Sequence, residues 1–235
     1  MTKFAIIIPT YQRADGKSPM LVNRALQSIL QQSHKNFKVY LIGDKYENKK
    51  EFASFGAGFN KENFYSINLP EPGERIRYEN NKKLLWLYGG IAASNYGINL
   101  ALQEGLTYVC RLDHDDYWKS GHLKTFNDLI KKNNADWMCT RAVNLDRTLP
   151  STKESKKYIS FLPYRGGLIQ SATCINQRTI PLLSRDYFKE TGKVGIPGDA
   201  DLWERMAVYI KNNKLKSFLI NEVSCIHDEE GYSKR

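Results

Sequence analysis

The stretch Thr107-Tyr108-Val109-Cys110-Arg111-Leu112-Asp113-His114-Asp115-Asp116 decides how the chain folds. Its first six residues are largely apolar or β-prone, as a buried strand requires, and they run directly into three carboxylates within four residues. Like charges so close repel unless solvent, a cation or positive side chains compensate them. A hard divalent ion suits such an Asp-x-Asp arrangement, because one or two carboxylates hold Mg²⁺ or Mn²⁺ while positions stay open for phosphate oxygens. The competing reading is an acidic turn at the start of the next helix. Placement at the end of a buried strand favours the metal.

Upstream, strands and helices alternate. Residues 4–8 form an apolar, β-branched run ending at Pro9, as expected of a strand buried on both faces of a parallel sheet. Ser18-Pro19 reads as a cap and first helical turn, followed by Leu21, Ala25, Leu26, Ile29 and Leu30 at helical spacing. Further strands are expected over 37–42 and 64–69, and a helix over 91–104 that stops at Gly105. Such alternation predicts right-handed βαβ units and an α/β fold with a Rossmann-like, mostly parallel central sheet flanked by helices. Ligands bind beyond the carboxyl ends of such strands. Tyr11, Asp44 and residues 113–116 all follow strand ends, so they should gather along one edge.

The second half is less regular, with helices expected over 123–132 and 199–210 and strands over 137–143, 159–162, 172–175 and 217–226. Residues 71–88 mix Pro, Gly, basic and aromatic residues, and read equally as a flap or a structured insertion. No repeat or low-complexity tract interrupts the chain. Its 235 residues, 41% hydrophobic and 26% charged, suit one domain over 1–235. No apolar run reaches the roughly 20 residues of a membrane helix, and residues 1–6 lack a signal-peptide pattern, so a cytoplasmic protein is expected. Cys110, Cys139, Cys174 and Cys225 have no metal-ligand spacing and read as buried, reduced thiols. The net charge of +10 is dispersed and reads as a solvated surface. Nucleic acid is therefore not expected as a partner, while peripheral contact with an anionic membrane stays open.

Four segments resemble the family 2 glycosyltransferases. They are Ile6-Ile7-Ile8-Pro9-Thr10-Tyr11-Gln12-Arg13, the run from Arg24 to Gln32, the run from Ala93 to Leu102 leading into Leu112-Asp113-His114-Asp115-Asp116-Tyr117-Trp118, and Gly198-Asp199-Ala200-Asp201-Leu202-Trp203-Glu204-Arg205. The resemblance spans most of the chain in order and implies the GT-A fold. It also implies an inverting, metal-dependent transfer from a nucleotide diphosphate sugar, UDP-linked because Asp44 suits an imide N–H. The acceptor would be a hydroxyl of a glycan, lipid or protein.

The resemblance further implies roles. Pro9, Tyr11, Arg13, Asp44, Asn95, Asp113 and His114 would bind the donor nucleotide, with Tyr11 stacking on the base. Asp115, Asp113 and Asp116, helped by His227, would hold Mn²⁺ or Mg²⁺, with Asp115 the foremost ligand. Asp199 would be the catalytic base that takes the acceptor's proton; Gly198 stands where the family has glutamate, so Asp201 stays open for that role, and position favours Asp199. Trp203, Asp201 and Gly167 are acceptor-side candidates. Residues 1–118 would form the donor half and 119–235 the acceptor and base half. A sugar nucleotidyltransferase would share the sheet and metal but needs a Gly-rich basic phosphate loop, which 9–13 is not. A non-catalytic basic module binding glycan or nucleic acid would leave the aspartates without purpose.

Overall fold

The computed structural model describes residues 2–178, 183–185 and 195–227. The elements follow the order β1 (Phe4–Thr10), α1 (Ser18–Leu30), β2 (Phe37–Gly43), α2 (Lys49–Ser54), β3 (Phe64–Asn68), α3 (Glu74–Arg77), α4 (Lys82–Tyr88), α5 (Ile91–Gln103) and β4 (Tyr108–Arg111). They continue with β5 (Tyr117–Trp118), α6 (His122–Asn133), β6 (Trp137–Asn144), β7 (Arg147–Leu149), β8 (Tyr158–Ser160), β9 (Thr173–Asn176), α7 (Gly198–Asn212) and β10 (Ser217–His227). All described strands join one sheet in the order β3-β2-β1-β4-β9-β6-β10-β5, with β7 beside β6 and β8 beside β10. The long pairings are parallel: β3, β2, β1 and β4 run together, as do β6 and β10. β9 lies antiparallel between β4 and β6 and joins the two parallel blocks.

β1 explains the layering. All seven of its residues are buried, and its side chains alternate between two cores. Phe4, Ile6 and Ile8 join Val22, Leu26 and Ile29 of α1 and Phe126 and Leu129 of α6. Ala5 and Ile7 join Ala93 and Ile98 of α5 and Leu202, Trp203 and Met206 of α7. Close approach of α5 depends on Gly97, where a β-carbon would lie 2.7 Å from Ile7 Cγ2. The sheet is thus sandwiched between helices, as expected from its apolar strands.

Several local expectations change. Residues 71–88 are a structured insertion carrying α3 and α4. Asn81 caps α4, its side chain accepting from Leu84 N at 3.0 Å. Ser18 is not a side-chain cap: Lys17 occupies the cap position, and Ser18 ties down the preceding loop instead. α2, β5 and β7 are too short to leave a periodic signal. All four cysteines are free and buried, and no described helix is long and apolar enough to cross a membrane.

His122 makes the fold sensitive to acid. It is fully buried, stacks on Trp118 with ring centroids 4.3 Å apart, and has Nδ1 2.7 Å from Ser224 Oγ. Burial pushes its pKa down from 6.5 to about 3. Above pH 6.5 both folded and unfolded forms are neutral. Below it the unfolded chain takes up a proton that the folded site refuses, so stability falls as pH drops from 6.5 towards 3. Between pH 6.5 and 5 this one group should cost about 2 kcal/mol. Urea midpoints across that range should fall less steeply for His122→Phe than for the parent chain; equal slopes would refute the assignment.

Candidate active site

Three parallel strands end at one edge, and the loops beyond them form the site. Thr10 of β1 pairs with Gly43 of β2, and Asp44 N donates to Thr10 O at 2.7 Å, while Leu112 N beyond β4 donates to Ile7 O at 2.9 Å. Ser18 fixes the loop after β1, accepting from Arg13 N at 2.7 Å and donating to Tyr11 O at 3.0 Å. The Arg13 side chain is turned onto Asp15, with contacts of 2.7 and 3.0 Å. Pro9, Tyr11, Arg13, Asp44, Asp113, His114 and Asp115 all line one cavity of about 240 Å³.

Asp44 is buried, and both carboxylate oxygens are engaged by the insertion. Oδ1 accepts from Gly73 N at 2.7 Å and Oδ2 from Arg75 Nε at 3.0 Å. Arg75 also donates to the Asp44 and Lys45 carbonyls, and its guanidinium lies 5.1 Å from the Tyr11 ring centroid. His114 meets Tyr11 edge-on at 5.4 Å, its Nδ1 3.4 Å from Pro9 O. Burial pushes the Tyr11 hydroxyl up, so it stays protonated near neutrality. Neighbouring Glu74 accepts from Ala92 N at 3.1 Å, pinning the insertion to the first turn of α5.

The aspartate turn is closed by a bond from Asp116 N to Asp113 O at 2.9 Å. Asp113 Oδ1 accepts from Arg111 Nε at 2.9 Å, and its N–H donates to Ser171 Oγ at 3.0 Å. Asp115 faces the first cavity, and its carbonyl accepts from Arg24 at 2.6 Å. Asp116 turns away: it is wholly buried, with Oδ1 2.8 Å from His227 Nδ1. Burial raises the Asp116 carboxyl, and His227 partly offsets this. Burial lowers the His227 imidazole, but the bond to Asp116 together with the negative charges of Asp116, Asp113 and Asp115 outweighs it and holds the ring protonated to higher pH.

The four expected metal ligands lie close enough to act on one another's charge, and Asp113 and His227 both line the second cavity, but they do not form one cage. Asp113 and Asp115 face the first cavity, whereas Asp116 and His227 pair with each other. Among the described residues no group of three or more His, Cys, Asp or Glu side chains is arranged as a metal cage. The two carboxylates on the cavity, Asp113 and Asp115, would still suit a hard divalent ion that keeps positions open for phosphate oxygens.

The second cavity, about 430 Å³, shares Trp86, Gly89, Arg111 and Asp113 with the first, so the two meet there. Asp199, Trp203 and His227 line it. Asp199 lies in the first turn of α7, where its Oδ1 accepts from Ala200 N at 2.7 Å. Burial raises its carboxyl pKa; the Arg111 charge pulls it back and Asp113 adds to the rise. Asp201 lines neither cavity; it is buried and clasped by Arg205 Nε at 2.8 Å and Arg185 Nε at 3.2 Å. Asn95 also lies outside both, exchanging bonds of 2.8 and 3.1 Å with the Ser184 backbone. Gly167 lies outside as well, against Tyr164, while Gly166 lines the second cavity. Arg75, Trp86 and Arg111 escaped sequence reasoning. Only the basic, aromatic composition of 71–88 and the position of Arg111 within the strand hinted at them.

Comparison with known proteins identifies the family and the fold. The family described as Glycosyl transferase family 2 matches residues 5–192. An uncharacterized glycosyltransferase of Acanthamoeba polyphaga mimivirus is 35% identical over 99% of this chain and 96% of its own length. The amylovoran biosynthesis glycosyltransferase AmsB of Erwinia amylovora is 27% identical over 55% of this chain and 36% of its own. Among solved structures, S. aureus TarS superimposes with a TM-score of 0.67 at 13% identity, over 96% of this chain but 36% of TarS. Its 1–349 fragment in complex with UDP-GlcNAc gives 0.67 at 15% identity, covering 96% of this chain and 58% of the fragment. The Pyrobaculum calidifontis mannosyltransferase PcManGT in complex with GDP-Man and Mn²⁺ gives 0.58 at 15% identity, over 95% of this chain and 56% of that one. The chain therefore spans nearly all of its viral relative but about a third of the longer solved TarS chain. With its curled, mostly parallel sheet between helices it has the GT-A fold, and it belongs to the family 2 glycosyltransferases.

Proposed function

We propose that this protein is an inverting glycosyltransferase that moves a sugar from a UDP-sugar to a hydroxyl acceptor with the help of Mn²⁺ or Mg²⁺. One observation carries the reading. Asp44, Asp113 and Asp116 are each held by a cation, Arg75, Arg111 and His227 respectively, whereas Asp115 and Asp199 have no ion-pair partner among the described residues. They lie on different cavities that meet at Arg111 and Asp113. Asp115 is left for the metal and Asp199 for the proton.

In this reading residues 1–118 bind the donor and 119–235 bring the acceptor to the base. Tyr11 stacks on the base, and Asp44 accepts its imide N–H while Arg75 orients the carboxylate. A divalent ion held by Asp115 and Asp113 would neutralise charge growing on the departing diphosphate. Arg111, at the junction, adds a fixed positive charge there. Asp199 takes the acceptor proton from the side opposite the leaving group, and its raised pKa makes it a better base than an exposed carboxylate. A uridine donor draws support from TarS, whose fragment binds UDP-GlcNAc, and the metal from PcManGT, which binds Mn²⁺. Four buried, unpaired thiols suit a reducing compartment, which supports the cytoplasm as the setting.

Asp199→Asn should lower kcat by about 10²-fold or more while UDP affinity, measured by calorimetry, stays within error; full activity in that variant would sink the assignment of the base. Because the base must be ionised, kcat/KM should fall as pH drops through a pKa above the ordinary 3.8 of aspartate. Chelation by EDTA should abolish transfer and added Mn²⁺ restore it, with Asp115→Asn needing far more Mn²⁺ for half-maximal rate; activity indifferent to EDTA would exclude the metal. Arg75→Ala should weaken UDP binding about tenfold with little change in kcat, because it frees Asp44 from its orienting partner.

A further inference from the structure

The second cavity carries chemistry that the transfer step does not use. Its carboxylates, Asp199 and Asp113, belong to the end near the donor, and the charges acting on Asp199 are those of Arg111 and Asp113. Arg165 lines the same cavity, beside Gly166, whose φ of +81° fits the turn that presents it. Arg165 is exposed and makes no ion pair or hydrogen bond among the described residues. A guanidinium on a cavity wall with five donors and no acceptor is a ready partner for a planar or tetrahedral anion.

One tryptophan says what else the ligand offers. Trp86, at the junction of the two cavities, is 52% exposed, whereas Trp118, Trp137 and Trp203 are buried. An indole left in water at a cavity mouth offers an apolar face to a sugar ring. Trp203 lines the same cavity as a buried, packed part of its wall. At about 430 Å³ the cavity lies in the range of roughly 300–1,000 Å³ typical of small-ligand sites.

We propose that the acceptor is a sugar carrying an anionic group, a phosphate or a carboxylate, which Arg165 binds while Trp86 covers the ring and Asp199 meets the attacking hydroxyl. This rests on the glycosyltransferase reading and adds the acceptor's charge to it. It excludes neutral glycans as the preferred acceptor and gives Arg165 a role in acceptor selection rather than in the chemical step.

The test uses the full chain with UDP and Mn²⁺ bound, and follows acrylamide quenching of tryptophan fluorescence. Trp86 dominates that signal because the other three indoles are buried. Glucose 6-phosphate, glucuronate and methyl glucoside are titrated as probes. At least one charged probe should protect Trp86 at concentrations where methyl glucoside does not; protection by one alone identifies phosphate or carboxylate as the recognised group. Arg165→Gln should raise the half-saturating concentration of that probe about tenfold or more, with Arg165→Lys in between and UDP affinity unchanged. Equal behaviour of charged and neutral probes, or an Arg165→Gln variant that binds the charged probe as the parent does, would overturn the proposal while leaving the glycosyltransferase reading intact. Failure to bind UDP at all would overturn both.

Discussion

The parallel pairing of β1 with β2 on one side and β4 on the other is the constraint on which everything else rests. Parallel strands that start in register also end together, and here the shared end delivers Tyr11, Asp44 and the aspartate turn to one edge. The same pairing buries β1 on both faces, so helices must cover the sheet on both sides. The open edge beyond Thr10 and Gly43 is then the natural place for a cleft, and both cavities lie along it or adjoin it.

Gathering carboxylates at one edge creates an electrostatic problem that the fold solves residue by residue. Asp44 is neutralised by Arg75 from an insertion, Asp113 by Arg111 from its own strand, and Asp116 by His227 from the end of β10. Each pair is at least partly buried, where an uncompensated charge is expensive. His227 ties the final strand to the aspartate turn, so the last element of the described sheet completes a site begun by the first. The two carboxylates left over, Asp115 and Asp199, are separated between the cavities, as the proposed metal ligand and base would need to be.

Much of this was legible in the sequence. Residues 4–8, 37–42 and 107–112 are continuous apolar runs, and a strand buried on both faces leaves that signal. The gathering of Tyr11, Asp44, Asp113 and Asp115 followed from strand ends alone. What stayed hidden depends on side-chain direction. Asp115 and Asp116 are adjacent and chemically equal, yet one faces the cavity and the other turns onto His227, a choice fixed by the turn. Asp199 and Asp201 are likewise two residues apart on α7; helical rotation sends Asp201 onto Arg205 and Arg185 and leaves Asp199 on the cavity wall. Asn95, with no periodic cue to its direction, holds Ser184 rather than lining the first cavity. Residues 71–88 have no long amphipathic pattern, because α3 and α4 are only four and seven residues long. The contact of Arg75 with Asp44 therefore leaves no signature in the sequence.

The central claim is that the base and the departing diphosphate lie on opposite sides of the transferred sugar, at the junction between the two cavities. The anomeric configuration of the first-formed product reports this directly. Proton NMR of the linkage made from an α-linked UDP-sugar should show the β configuration from the earliest turnover. An α-linked product would contradict the account, because retention would require an attack geometry that Asp199, placed as the base, does not provide.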